Sequence, residues 1–278
     1  MRAAGCDAGY LKCLPGAAGL PGHPVTQCWR STPGDNSASL AAMLFPGPLT
    51  RGTLLRRYKR FLSDIQLDSG ELVTAHVANS GAMLGLSDPG LEVWLSHSPK
   101  PSRKLPWSWE MARIDGRLVG INTMHPNAIV AEAIAGGQID QLVGYEGLRR
   151  EVPYGRASRI DLLLSSPGRP TCFVEVKNVH LKRGDAASFP DAVTARGAKH
   201  LAELADMAAA GERAVMLFLV QREDCRFFSP AEDIDPTYAR ALRHAIAAGV
   251  EVICYDCRLS LEGIDVRGPL PIRLEGET

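Results

Sequence analysis

Ser158-Arg159-Ile160-Asp161-Leu162-Leu163-Leu164, followed after a Pro167-Gly168 turn by Cys172-Phe173-Val174-Glu175-Val176-Lys177, is the stretch on which the fold turns. In a strand, alternate residues share a face, so Glu175 and Lys177 stand on one side while Val174 and Val176 pack behind them. Two such runs joined by a Pro-Gly turn read as a hairpin. Setting Leu164 opposite Cys172 brings Asp161 opposite Glu175, with about 4.5–5.5 Å between their Cβ atoms. Carboxylates that close repel, so a cation belongs between them. A hard divalent ion, Mg²⁺ or Mn²⁺, takes oxygen ligands and keeps water and substrate phosphate in its shell, which suits this pair. Lys177, on the same face, is placed to orient or help deprotonate a metal-bound water, or to stabilise charge on a phosphate. The plain alternative is an exposed hairpin carrying a Glu–Lys pair.

Beyond Pro126 the pattern alternates helix and strand. Asn127 caps a helix that ends at Gly136-Gly137; strands follow at 148–154, 159–164 and 171–179, then a helix over about 192–210 capped by Asp191. A strongly apolar strand spans Ala214 to Val220, a helix covers 235–248, and a last strand runs from Val250 to Cys257. The order αβββαβαβ implies a mixed sheet flanked by helices. Arg196, Lys199, His200 and Glu203 share a face of the second long helix, with Arg196 and Lys199 directed toward the sheet. Cys254 and Cys257 lie at an odd separation on one strand and face opposite ways, which argues against a zinc or redox pair.

Between about 50 and 125 the chain shows five short apolar runs, Leu54–Leu67, Leu72–Val77, Leu91–Ser96, Trp107–Ile114 and Leu118–Asn122, separated by turn residues such as Asp88-Pro89-Gly90 and Asp115-Gly116. Five short strands suggest a small OB-like barrel. Arg51, Arg56, Arg57, Lys59 and Arg60 form a basic run without an acid, interleaved with Tyr58 and Phe61, a combination suited to phosphates and unpaired bases. Its alternative is a solvated strand whose aromatics are core. Arg103, Lys104, Trp107 and Trp109 form a second such cluster, in which alternate tryptophans read first as one packed face.

The 278 residues divide, at roughly 150 per domain, into about two domains. Lys and Arg total 31 and Asp and Glu total 31, so the net charge is zero and a globally basic nucleic-acid coat is excluded. No run of about 18 apolar residues provides a membrane span. Residues 1–42 contain Gly, Pro and Cys without hydrophobic periodicity and read either as a disordered arm or as a start-site artefact. The expected organisation is therefore an OB-like barrel over 43–125, an α/β domain over 126–270 and a tail over 271–278. Seven cysteines, an odd number, fit reduced thiols in a cytoplasmic protein. Nothing in the sequence fixes an oligomeric state.

The αβββαβ order with an acid on the second strand and Glu175-x-Lys177 on the third resembles the PD-(D/E)xK nuclease core. The resemblance implies Asp161 and Glu175 as metal ligands, Lys177 as the catalytic lysine and Glu132, on the first helix, as a third acid. From Met43 to about Val266 the chain also resembles the sugar fermentation stimulation protein A family, through Arg56-Arg57-Tyr58-Lys59-Arg60-Phe61-Leu62, Asn79-Ser80-Gly81-Ala82-Met83, Ser158-Arg159-Ile160-Asp161, Val174-Glu175-Val176-Lys177-Asn178-Val179, Phe189-Pro190-Asp191-Ala192-Val193 and Arg196-Gly197-Ala198-Lys199-His200-Leu201. That resemblance implies an OB-like domain joined to a nuclease-like domain, non-specific binding of single- or double-stranded DNA, association with the nucleoid, and a regulatory role in sugar (maltose) metabolism. It leaves two readings of function: a metal-dependent nuclease, or a non-catalytic DNA-associated regulator. The chain departs from the family pattern at Ser80, which keeps a hydroxyl, and at Ala195, where a glutamate is usual.

Overall fold

The computed structural model describes residues 43–155 and 158–274; the expectations for residues 1–42 and 275–278 lie outside them. In chain order the elements are β1 (Met43–Leu44), β2 (Thr50–Tyr58), β3 (Leu62–Leu67), β4 (Leu72–His76), β5 (Glu92–His97), β6 (Trp107–Ile114), β7 (Arg117–Gly120), α1 (Pro126–Ala135), β8 (Gly147–Tyr154), β9 (Ser158–Ser165), β10 (Cys172–Val179), β11 (Leu181–Arg183), β12 (Ala186–Phe189), α2 (Ala195–Ala209), β13 (Arg213–Val220), β14 (Phe227–Pro230), α3 (Pro236–Ala247), β15 (Glu251–Leu259) and β16 (Gly263–Pro269).

Strands β2 to β6 close into a five-stranded barrel, paired in the order β2-β3-β4-β6-β5 and back to β2, with β4 and β6 parallel and the other neighbours antiparallel. This is the OB arrangement. Leu54, Ile65, Val73, Leu95 and Trp109 fill it from alternate positions of their strands. Gly52 lets β2 approach β3 closely, since a Cβ there would sit 2.7 Å from Ile65 and 2.8 Å from the carbonyl of Gln66.

Membership of the barrel differs from the sequence reading, although the strand count agrees. The run Leu54–Leu67 is a hairpin of two strands, turned by Lys59 (φ 48°) and Arg60 (φ 64°) in the left-handed region. Neither is a usual turn residue, so the break carries no sequence signal. The run Leu118–Asn122 contributes β7, which lies outside the five-stranded closure, pairs with β6, bridges through Val119 to Arg222 and hands the chain to the second domain.

That domain contains the expected α1-β8-β9-β10-α2-β13 core. Its seven-stranded mixed sheet has the order β1-β16-β15-β13-β10-β9-β8. Leu162, Leu164, Val174, Val215 and Leu217 pack with Ile129 and Ala133 of α1 on one face. Leu163, Met216 and Phe218 pack with Leu201 and Leu204 of α2 and Leu242 of α3 on the other. Cys257 belongs to the first layer and Cys254 to the second, as their spacing predicts. Met43 and Leu44 join this sheet and not the barrel, pairing with Ile264 and Gly263. The Phe45 ring then packs against His125, 5.9 Å between centroids. Pro271 and Arg273, which the sequence places in a tail, bond through their backbones to Phe228 of β14. Among the described residues no helix is long and apolar enough to cross a membrane.

Candidate active site

Strand alternation brings Glu175 and Lys177 of β10 onto the α2 side of the sheet. Asp161 of β9 meets them in the expected register, though without the ladder pairing that the register implies. The β9–β10 ladder runs Cys172↔Leu164, Phe173↔Leu163, Val174↔Leu162 and stops one pair short of Asp161 and Glu175. There the Asp161 carboxylate replaces the ladder: its Oδ2 accepts from the amide of Val176 at 2.8 Å, and its Oδ1 accepts from Asn127 Nδ2 at 2.8 Å. Like charges directly opposite are unfavourable, and opening the ladder lets one carboxylate take a backbone proton donor.

Glu175 is almost completely buried. Its Oε1 accepts from Lys177 Nζ at 2.6 Å and from His200 Nδ1 on α2, while its Oε2 is buried without a partner. Arg196 Nε donates to His200 Nε2 at 3.2 Å. Because an arginine nitrogen only donates, His200 must carry its proton on Nδ1, facing Glu175. Burial pushes the Glu175 carboxyl up, and the hydrogen bond from His200 with the charge and hydrogen bond of Lys177 outweighs it, so the group sits below its ordinary value. Asp161 moves the other way. Burial and the neighbouring Glu175 charge raise it to about 6, against the pull of the Val176 amide, Asn127 and Lys177. Two carboxyls whose environments drive them apart mark a functional site.

The trio lies on a cavity of about 390 Å³, to which the barrel also contributes through Asn79, Ser80 and Gly81. The first helix supplies Asn127 and not Glu132, which is absent from the lining. Asn127 is not the cap that the sequence suggests: it is the second residue of α1, whose N-cap residue, His125, makes no side-chain capping bond. Asp191 is likewise not the cap of α2: Thr194 is, accepting from the amide of Gly197 at 3.0 Å. Asp191 instead accepts from the Met83 amide of the barrel at 2.9 Å and pairs with His180 at 3.2 Å. Asn127, His180 and Asp191 are cavity residues that sequence reasoning misses or misplaces; Asn127 and Asp191 show only as polar residues beside helix starts, and His180, between β10 and β11, shows no signal.

The basic residues separate into groups. Arg51 pairs with Asp68 at 2.6 Å and Arg56 with Asp64 at 2.7 Å. Arg57 is half-buried, and its guanidinium donates to the carbonyls of Arg60, Asn79, Gly81 and Ala82 at 2.9–3.3 Å. It is a clamp on the cavity rim and not a free phosphate contact. Lys59 and Arg60 are exposed at the β2–β3 turn. Arg196 lines the cavity, and with Arg159 and Lys199 it also borders a neighbouring hollow of about 540 Å³. Lys199 lies 3.6 Å from Glu203. Trp109 is fully buried and Trp107 packs beside it on the barrel core, as alternate tryptophans suggest.

The donor set suits a hard cation only in part. Asp161 and the orphaned Glu175 oxygen are two oxygen ligands of the kind Mg²⁺ or Mn²⁺ takes. Among the described residues no three His, Cys, Asp or Glu side chains converge to hold a metal, so backbone carbonyls, water or substrate would complete the shell.

Comparison with known proteins gives consistent matches. The model of the sugar fermentation stimulation protein RE domain matches residues 124–263, and that of the SfsA N-terminal OB domain matches residues 55–121. Sugar fermentation stimulation protein homologs from Paramagnetospirillum magneticum and Rhodospirillum centenum are 64% and 61% identical over 232 and 225 residues. These alignments cover 84% and 81% of this chain and 98% and 97% of the relatives. The solved structure of Pyrococcus furiosus SfsA in complex with Ca²⁺ has a TM-score of 0.76 and 28% identity, covering 84% of this chain and 99% of that one.

Proposed function

This chain belongs to the sugar fermentation stimulation protein family, and we propose that it is a DNA-binding protein that hydrolyses phosphodiesters with the help of a divalent metal ion. The observation that carries this reading is the Asp161–Glu175–Lys177 cluster on the cavity floor, with one carboxyl raised, the other lowered and a buried carboxylate oxygen free of partners. Asp161, Glu175 Oε2 and water would hold Mg²⁺ or Mn²⁺; the Pyrococcus furiosus relative is solved with Ca²⁺, another hard, oxygen-seeking cation. Such an ion, when bound, supplies Lewis-acid stabilisation of phosphate oxygens and a more acidic water. The chain's own residues do the rest. His200 fixes the Glu175 carboxylate, Asn127 and the Val176 amide fix Asp161, and Lys177 sets a positive charge beside the place where phosphate charge develops. Arg196 and Lys199 extend from α2 as phosphate contacts.

The test is incubation with single-stranded and duplex DNA under Mn²⁺, Mg²⁺ or EDTA, beside Lys177→Ala. Cleavage that needs both metal and Lys177 supports the reading; metal-independent cleavage, or cleavage indifferent to Lys177, defeats it. A second reading, a non-catalytic DNA-associated regulator of sugar (maltose) metabolism in the cytoplasm, is favoured by the two-carboxylate ligand set and by Ala195 at the start of α2. Salt-sensitive binding without cleavage under any metal supports that one.

Two further outcomes are expected. Arg196→Gln and Lys199→Gln should each lower the slope of log affinity against log salt by roughly 0.7–0.9, whereas Arg56→Gln, already paired with Asp64, should leave it nearly unchanged; the reverse pattern would move the contact surface to β2. Because a ligating carboxyl must lose its proton, Mn²⁺ binding by isothermal calorimetry should strengthen as pH rises through about 6, where Asp161 ionises. A flat profile between about pH 5 and 8 would remove Asp161 from the ligand set.

A further inference from the structure

We propose that Glu151, on the edge strand β8, is a positioning residue of the candidate active site: it holds the side-chain amide of Asn127, and Asn127 in turn holds the Asp161 carboxylate. The inference deepens the metal reading above and rests on it for the effect on cation binding, whereas the link from Glu151 to Asp161 stands on the geometry alone.

Strand β8 pairs with β9 through Arg150↔Leu162 and Val152↔Ile160, and the pair between them, Glu151 with Asp161, is missing from the ladder. Asp161 likewise stands opposite Glu175 where the β9–β10 ladder has stopped. The three carboxylates thus occupy one row across β8, β9 and β10, with Asp161 in the middle and outside both ladders. Neighbouring like charges repel, so the row needs a proton donor within it. Asn127 Nδ2 is that donor, to Asp161 Oδ1 at 2.8 Å and to Glu151 Oε1 at 3.1 Å. An amide nitrogen carries two protons, and spending both on carboxylates fixes which way the amide faces.

The backbone bends to bring Glu151 there. Its φ of 54° lies in the left-handed region that residues other than glycine rarely enter, and Arg159 Nη1 secures the bend by donating to the Glu151 carbonyl at 3.0 Å. A glycine would take this conformation freely; a glutamate takes it under strain, and strain of this kind collects at functional sites. The partner of the side chain points the same way. Arg159, Arg196 and Lys199 border the same hollow as the exposed Glu151, yet among the described residues its carboxylate pairs with no cation, and its side-chain hydrogen bond goes to Asn127. Without Glu151 the Asn127 amide keeps one carboxylate and is free to turn, and Asp161 loses the fixed orientation that a cation ligand needs. Outer partners of metal ligands carry effects of about 10–100-fold in metal affinity.

The test has a metal-free arm and a metal arm, both with the full chain. In EDTA, heteronuclear NMR of the Asn127 side-chain amide, its signal identified by its loss in Asn127→Ala, should show both protons protected from exchange with water in the parent and one of them released in Glu151→Ala. With Mn²⁺ alone and isothermal calorimetry, Glu151→Ala is expected to bind about tenfold more weakly than the parent. Glu151→Gly should bind as weakly although its backbone strain is relieved, and Glu151→Gln, which keeps an acceptor oxygen without the charge, should bind as the parent does. In an Asn127→Ala background Glu151→Ala should add no further loss, because the one residue acts through the other. Protected Asn127 protons in Glu151→Ala, undiminished Mn²⁺ affinity in that variant, an equal loss in Glu151→Gln, or additive losses in the double variant would each overturn the proposal, the third by pointing to charge and not position. A parent chain that binds no Mn²⁺ defeats the metal reading instead, and the Asn127 protons then decide the positioning by themselves.

Discussion

Asp161→Asn is expected to cut metal-dependent DNA cleavage by about 100-fold or more and at the same time to stabilise the metal-free protein at neutral pH. Both effects come from one carboxylate held where it is uncomfortable. Its ionisation is raised from 3.8 to about 6 by burial and by Glu175. A raised acid contributes stability that is fully present below about pH 4 and is lost as pH rises through about 6, so the ionised group is a liability above that point. Asn keeps the shape and an acceptor for the Val176 amide without the charge, and a gain on the order of 1–3 kcal/mol is expected at pH 8 with little at pH 4. DNA binding should persist, since a repulsive charge leaves the cavity. Thermal melts at both pH values, run beside cleavage and anisotropy, decide the matter. A folded variant that loses binding and cleavage together, or that is less stable at pH 8, would show that Asp161 holds the fold and not a cation.

Arg57→Ala should have the larger structural effect. Its guanidinium gathers carbonyls from the β2–β3 turn and from the Asn79–Ala82 loop, and removing a charged donor from partly buried acceptors costs about 2 kcal/mol, or roughly 4–8 °C in Tm. Arg57→Lys is not expected to rescue it, because an ammonium cannot reach several carbonyls with a planar fork. The rim that shapes the cavity would loosen as well, so cleavage should fall with stability. A lysine variant that melts like the parent would return Arg57 to the ordinary surface cations.

Arg57 also shows where sequence reading stops. A strand position in a basic run looks the same whether its guanidinium meets phosphate or backbone, and the carbonyls it meets on the rim lie 22–25 residues away. The core topology is legible because its signals are local: the apolar run of β13, the alternation of β10 and the Pro-Gly turn before it. Even the hairpin register is legible, as far as Val174↔Leu162. Its ending is not, since it depends on a side chain competing with the backbone for the Val176 amide. Asn127 and Asp191 mislead for a related reason. A polar residue beside a helix start is an economical cap, and only the fold reveals that Thr194 or no side chain caps there while the other residues reach for Asp161 and Met83.

The pairing of Met43–Leu44 with β16, and the contact between Phe45 and His125, make the barrel a guest within the second domain. The chain leaves its host sheet at one point and returns at almost the same point, so the intervening segment closes on itself like a bead on a loop. A cut at residue 125 would not separate two modules cleanly: it would strip a strand from the host and expose the edge of β16. Excision between Pro46 and Met124, bridged by a few residues, would leave the host's own threading whole.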